Sequence, residues 1–117
     1  IINLLAELPS AEAKLRMLSK VATTPQTDFG GVGAEPALRA WAKADARVSE
    51  ALGRVDAARL AYLDDILGQM GMGNPDLPRL FYASLIGLQE LGCIDKSITG
   101  APLGTLADLM IALAETD

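Results

Sequence analysis

The sequence predicts an all-α domain, a bundle of about five helices. Apolar residues recur at helical spacing, strict apolar and polar alternation is lacking, and clusters of proline and glycine divide the periodic stretches from one another. Of the 117 residues, 50% are hydrophobic and 21% charged, so a single domain with a real core accounts for the length. A chain of this size buries about two-thirds of its unfolded surface.

Residues 1–8 read as the end of a helix that begins earlier, because the chain opens on Ile1 and Ile2 with neither an initiator Met nor the zones of a signal peptide. Residues 9–117 form the domain proper. Pro9 and Ser10 open its first segment. Ser10 is a suitable N-cap, Glu12 sits in a first turn where the helix dipole favours an acid, and Leu15, Leu18 and Val21 repeat at helical spacing. From Thr23 to Gly33 the chain carries Pro25 and three glycines with no period, and reads as a long loop, a candidate lid. Glu35 and Pro36 then start a short helix on which Leu38, Trp41 and Ala42 share a face; Asp45 ends it and caps the next.

Ala46 to Gln69 is the longest periodic segment. Val48, Leu52, Val55, Tyr62, Leu63, Ile66 and Met70 fall within one arc about 100° wide, and Glu50, Arg54, Asp64 and Asp65 fall outside it. Gly71, Gly73 and Asn74 stop this helix. Asn74 or Asp76 caps the following one, which runs from Pro75 to Gly92 and tolerates Pro75 and Pro78 in its first turn, where N–H groups lack intrahelical acceptors. A second break, Thr99 to Gly104, precedes a last helix from Leu103 to Glu115, with Leu106, Leu109, Met110 and Leu113 on one stripe.

The helix from Pro75 to Gly92 is apolar on two sides. Leu77, Phe81, Leu85 and Leu88 make one face, and Leu80, Ala83, Gly87 and Leu91 another. A helix so clothed is buried from two directions, inward on its own domain and outward on a second copy. Ala83 and Gly87, one turn apart, permit close backbone approach.

Composition excludes several classes of function. With no histidine and only Cys93, the chain has no disulfide of its own, no zinc-ligand spacing and no Ser-His or Cys-His nucleophile pair, so it is not read as an enzyme and needs no cofactor or metal. A net charge of -5 argues against this segment gripping a nucleic-acid backbone. The uncharged run from Leu80 to Gln89, bounded by Arg79 and Glu90, falls short of a membrane span.

The order of a long loop, then AEPALRAWAKADARVSEALGRVDAARLAYLDDIL, then NPDLPRLFYASLIGLQELG, then a closing amphipathic helix, resembles the C-terminal ligand-binding and dimerisation domain of TetR-family bacterial transcriptional repressors. The resemblance spans Ser10 to Glu115. It is carried most by Leu38 to Trp41, Val55 to Leu63 and Tyr82 to Gln89. It implies a cytoplasmic homodimer that senses a small-molecule effector and reaches operator DNA only through a preceding helix-turn-helix domain, absent from this chain; residues 1–8 would end the linking helix. It further implies that the last two long helices form the dimer's four-helix bundle. That role falls on Leu77, Phe81, Leu85 and Leu88 of one, and on Leu106, Leu109, Met110 and Leu113 of the other. The alternative is a stand-alone helical small-molecule-binding or dimerisation module with no DNA partner.

The implied effector pocket lies within each subunit's helices, and Met17, Trp41, Arg59, Tyr62, Met70 and Gln89 are its candidate lining. Arg59 falls at the centre of an apolar arc, where a guanidinium needs a partner or a route to water. It either pairs with Asp56, Asp45 or Glu35, snorkels, or anchors an acidic effector. Tyr62 and Trp41 each offer an apolar face with one polar handle, and Met17 and Met70 offer adaptable walls. Gln89 is the strongly polar side chain within an apolar run, facing either the pocket or its two-fold mate. Asp64 and Asp65, adjacent in sequence, point about 100° apart on a helix and suit a solvated face rather than a shared acid/base pair. No Lys or His closely precedes Cys93 to activate it. Effector binding between the helices would shift the linking helix, and through it the spacing of the DNA-reading units.

Overall fold

The computed structural model describes residues 10–23 and 34–115, and these residues are all-helical. The helices are α1 (Ala11–Thr23), α2 (Ala34–Ala42), α3 (Ala46–Gln69), α4 (Asp76–Ile94) and α5 (Ala101–Glu115). The linking helix expected over residues 1–8 lies outside the described residues, as does the side chain of Val21; of the loop expected from Thr23 to Gly33, Thr23 instead ends α1 and residues 24–33 lie outside the described residues.

Short polar side chains start the helices where the sequence places them. The Ser10 hydroxyl accepts the Ala13 amide at 3.1 Å, and the Asp45 carboxylate accepts the Arg47 amide at 2.9 Å from an extended backbone. Asn74 accepts the Asp76 amide at 2.9 Å ahead of α4. The end of α3 is a Schellman turn: the Met72 amide donates back to the Leu67 carbonyl and the Gly71 amide to that of Gly68, with Gly71 at φ 81°. Among the described residues the last break is displaced from expectation. The final helix starts at Ala101, not Leu103, because Thr99 caps it by accepting the Ala101 amide at 3.2 Å and Pro102 needs no acceptor in a first turn.

The core is built by α1, α3, α4 and α5. Leu15 of α1, Leu63, Ile66 and Leu67 of α3, Phe81 and Tyr82 of α4, and Leu103, Ala107, Met110 and Ile111 of α5 are buried together. Each large side chain so buried contributes about 1.5–3 kcal/mol. Two stripes differ from the expected ones. Only the C-terminal half of α3 enters the core, and its N-terminal half carries α2 instead, which leaves Val55 exposed. On α5 the inward stripe is Leu103, Ala107, Met110 and Ile111, so Leu109 and Leu113 point outward at 58% and 59% exposure. No described residue of α2 belongs to the apolar core, and its Leu38 and Trp41 are exposed.

Candidate functional site

What attaches α2 is polar. Glu35 and Arg39 lie one turn apart on it, facing Asp56 and Arg59 on α3 and Tyr82 on α4. Arg39 grips Asp56 with both terminal nitrogens, Nη2 to Oδ1 at 2.7 Å and Nη1 to Oδ2 at 3.2 Å, the forked geometry that suits a guanidinium and a carboxylate. Its Nη2 also donates to the Tyr82 hydroxyl at 3.1 Å, and its guanidinium lies 5.8 Å from the centre of that ring. Tyr82 in turn donates to Asp56 Oδ1 at 2.6 Å and accepts from Arg59 Nη1 at 3.1 Å. Glu35 Oε1 closes the cluster, accepting from Arg59 Nη1 at 2.9 Å and Arg39 Nη2 at 3.3 Å.

Two cations and two anions balance, so the cluster sits half-buried without net charge. The Arg39 hydrogen bonds hold the Asp56 carboxyl below its ordinary range; burial opposes this, and the Tyr82 hydrogen bond adds to it. Asp56 in turn raises Arg39. Burial and the bond to Asp56 push the Tyr82 phenol up, against the pull of Arg59. Burial disfavours the charge on Arg59, but the Tyr82 and Glu35 contacts outweigh it and raise its pKa. Among the described residues one buried side-chain donor stays unmet: Arg39 Nε has no acceptor.

Of the six candidate pocket residues, the structure brings only Arg59 into this cluster, its side chain 48% exposed and paired with Glu35. The helix wheel set it at the centre of an apolar arc, but that part of α3 faces the polar side of α2. Tyr62 and Met70 are half-buried against the core, Met17 and Gln89 are half-buried, and Trp41 stands 58% exposed. Sequence reading passed over Arg39 and Tyr82. The spacing of Glu35 and Arg39, four apart on a helix, was the available signal for one; nothing local marks Tyr82 as their partner.

A second feature is the outer face of α4 and α5. Leu80 and Leu91 are 52% and 54% exposed, Leu109 and Leu113 lie alongside on the other helix, and Ile94 ends the stripe. Between the helices runs an open groove of about 370 Å³ lined by Ser84, Gly87, Leu88, Leu91, Pro102 and Leu106. A smaller concavity of about 260 Å³ lies by Ser19, Lys20 and Gly100. Neither is lined by any of the six candidate pocket residues. Of the eight residues assigned to a dimer interface, Phe81 and Met110 are packed inside the single chain, at 1% and 2% exposure. Leu77, Leu85, Leu88 and Leu106 are half-buried against its core, and Leu109 and Leu113 are exposed. On α4 it is therefore the other apolar face, with Leu80 and Leu91, that points outward.

Among the described residues no helix is long and apolar enough to cross a membrane. Cys93 is exposed, as are Asp64 and Asp65. No family model, curated protein or solved structure matches this chain.

Proposed function

We propose that this chain is the dimerising, effector-sensing domain of a TetR-like cytoplasmic transcriptional regulator, joining two copies through α4 and α5. The observation that carries the reading is the outer α4–α5 face, which is apolar and nearly free of charge. From Leu80 to Leu91, α4 bears one charged residue, Glu90, and α5 bears only Asp108 before Glu115. Asp108 is turned toward Arg16 of α1, 3.3 Å away. Two copies that each carry a net charge of -5 repel one another unless they meet where charge is sparse, and this face meets that condition. Two helices from each copy then make a four-helix bundle, with the groove by Gly87 and Pro102 receiving side chains of the mate.

In that arrangement each subunit senses its effector through the helices that face away from the seam, and the signal travels as a population shift between dimer geometries. Coupling of this kind is worth about 1–3 kcal/mol. Sedimentation velocity at micromolar concentration tests the assembly. The expected result is a dimer that Leu91→Glu and Leu109→Glu each convert to a folded monomer; a monomeric wild-type chain overturns the proposal. Joined to its DNA-reading unit, the domain should show operator and effector affinities that depend on each other by the same factor in calorimetry.

A further inference from the structure

We propose that Arg39 and Arg59 form a carboxylate-binding site that Glu35 fills in cis, and that a small monocarboxylate ligand takes the place of Glu35. The inference rests on the sensing role proposed above and names the chemical class sensed.

The two acids of the cluster are held very differently. Asp56 receives both terminal nitrogens of Arg39 and the Tyr82 hydroxyl, its shortest contacts being 2.6 and 2.7 Å, and it fastens α3 to α2 and α4. Glu35 presents a single oxygen, Oε1, to Arg59 at 2.9 Å and to Arg39 at 3.3 Å. It also projects from the first turn of α2, on an element that the apolar core does not hold. Rotation of the Glu35 side chain alone vacates its place, because the Arg39–Asp56 fork still keeps α2 docked.

The place vacated is suited to an anion. Arg59 is half-exposed and bonds only through Nη1, so its Nη2 and Nε are open to a second carboxylate oxygen, which Glu35 does not supply. The cluster holds more N–H donors than its own acceptors use, as the unmet Nε of Arg39 shows. A ligand carboxylate that replaces the Glu35 carboxylate leaves the charge at the two guanidinia unchanged. It sends the Glu35 anion into solvent rather than burying another. The exposed Leu38, on the same helix and within about 60° of Glu35 around it, gives an apolar ligand body somewhere to lie.

Benzoate serves as the probe, titrated into the isotope-labelled wild-type chain while the arginine Nε–Hε signals are followed by NMR. Saturable shifts are expected for Arg39 and Arg59 but not for Arg54, whose exposed pair with Glu50 lies elsewhere on α3. Glu35→Gln, which removes the competing anion, should tighten benzoate binding about tenfold, and Arg59→Gln should abolish saturation. The proposal is overturned if the wild type shows no saturable shift, if Arg59→Gln keeps it, or if folded Glu35→Gln binds no tighter than wild type. The wild-type and Arg59→Gln titrations decide even if Glu35→Gln fails to fold. Leu91→Glu, on the outer face of α4, should leave the benzoate response intact, so failure of the dimer and failure of this site are read separately.

Discussion

The Tyr82 hydroxyl donates to Asp56 and accepts from both guanidinia, so its removal leaves several charged groups short of a partner. Tyr82→Phe should cost about 1–3 kcal/mol in urea unfolding, with the core intact because the ring stays in place. Asp56 ties stability to pH. Its folded pKa lies below its unfolded value, so its contribution is fully present above the ordinary carboxyl range and is lost as pH falls through the folded pKa. Thermal midpoints should therefore fall on acidification below about pH 4, and Asp56→Asn should flatten that limb while lowering stability at neutral pH. An unchanged acid limb in Asp56→Asn would place the acid sensitivity elsewhere. At this scale the sequence showed that Arg59 needed a partner and included Glu35 among the choices. It could not choose, because helix geometry alone sets residue 35 no closer to residue 59 than residue 56 is.

The helices divide by what holds them. Along α3 the inward arc serves a packed core at Leu63, Ile66 and Leu67, and a polar latch nearer its start. A helical wheel averages over that length, which is why it reads one face where two neighbours are served. Glycines on this helix separate two physical effects. A Cβ at Gly68 meets nothing within 4 Å, so Gly68→Ala should gain about 0.5–1 kcal/mol from reduced backbone entropy. Gly71 is equally uncrowded but sits at φ 81° in the Schellman turn, and Gly71→Ala should lose about 1 kcal/mol. Chemical denaturation of both variants checks the pair, and equal signs would contradict the argument. On α5 the residues at 103, 107, 110 and 111 and those at 106, 109 and 113 are equally apolar, so the sequence could not say which set turns inward.

Across the whole molecule, charge and grease are kept apart. The outer α4–α5 face is poor in charge, and most of the charged side chains on the helices, of either sign, lie on α1, α2 and α3. An association through that face is hydrophobic, so added salt should leave the dimer as tight or tighter, by screening the repulsion between two chains of charge -5. Sedimentation equilibrium across a salt series measures this, and dissociation on adding salt would point to a polar interface. By itself the sequence determined the helices and most of their ends, since capping, proline placement and the Schellman glycine act within a few residues. It also determined that α4 is apolar on two sides. Which side is the inner one, that α2 is fastened by ions instead of apolar side chains, and that Arg39, Asp56 and Tyr82 meet at all were decided only by tertiary structure. Those contacts join residues far apart along the chain, and local periodicity carries no record of which helix lies opposite which.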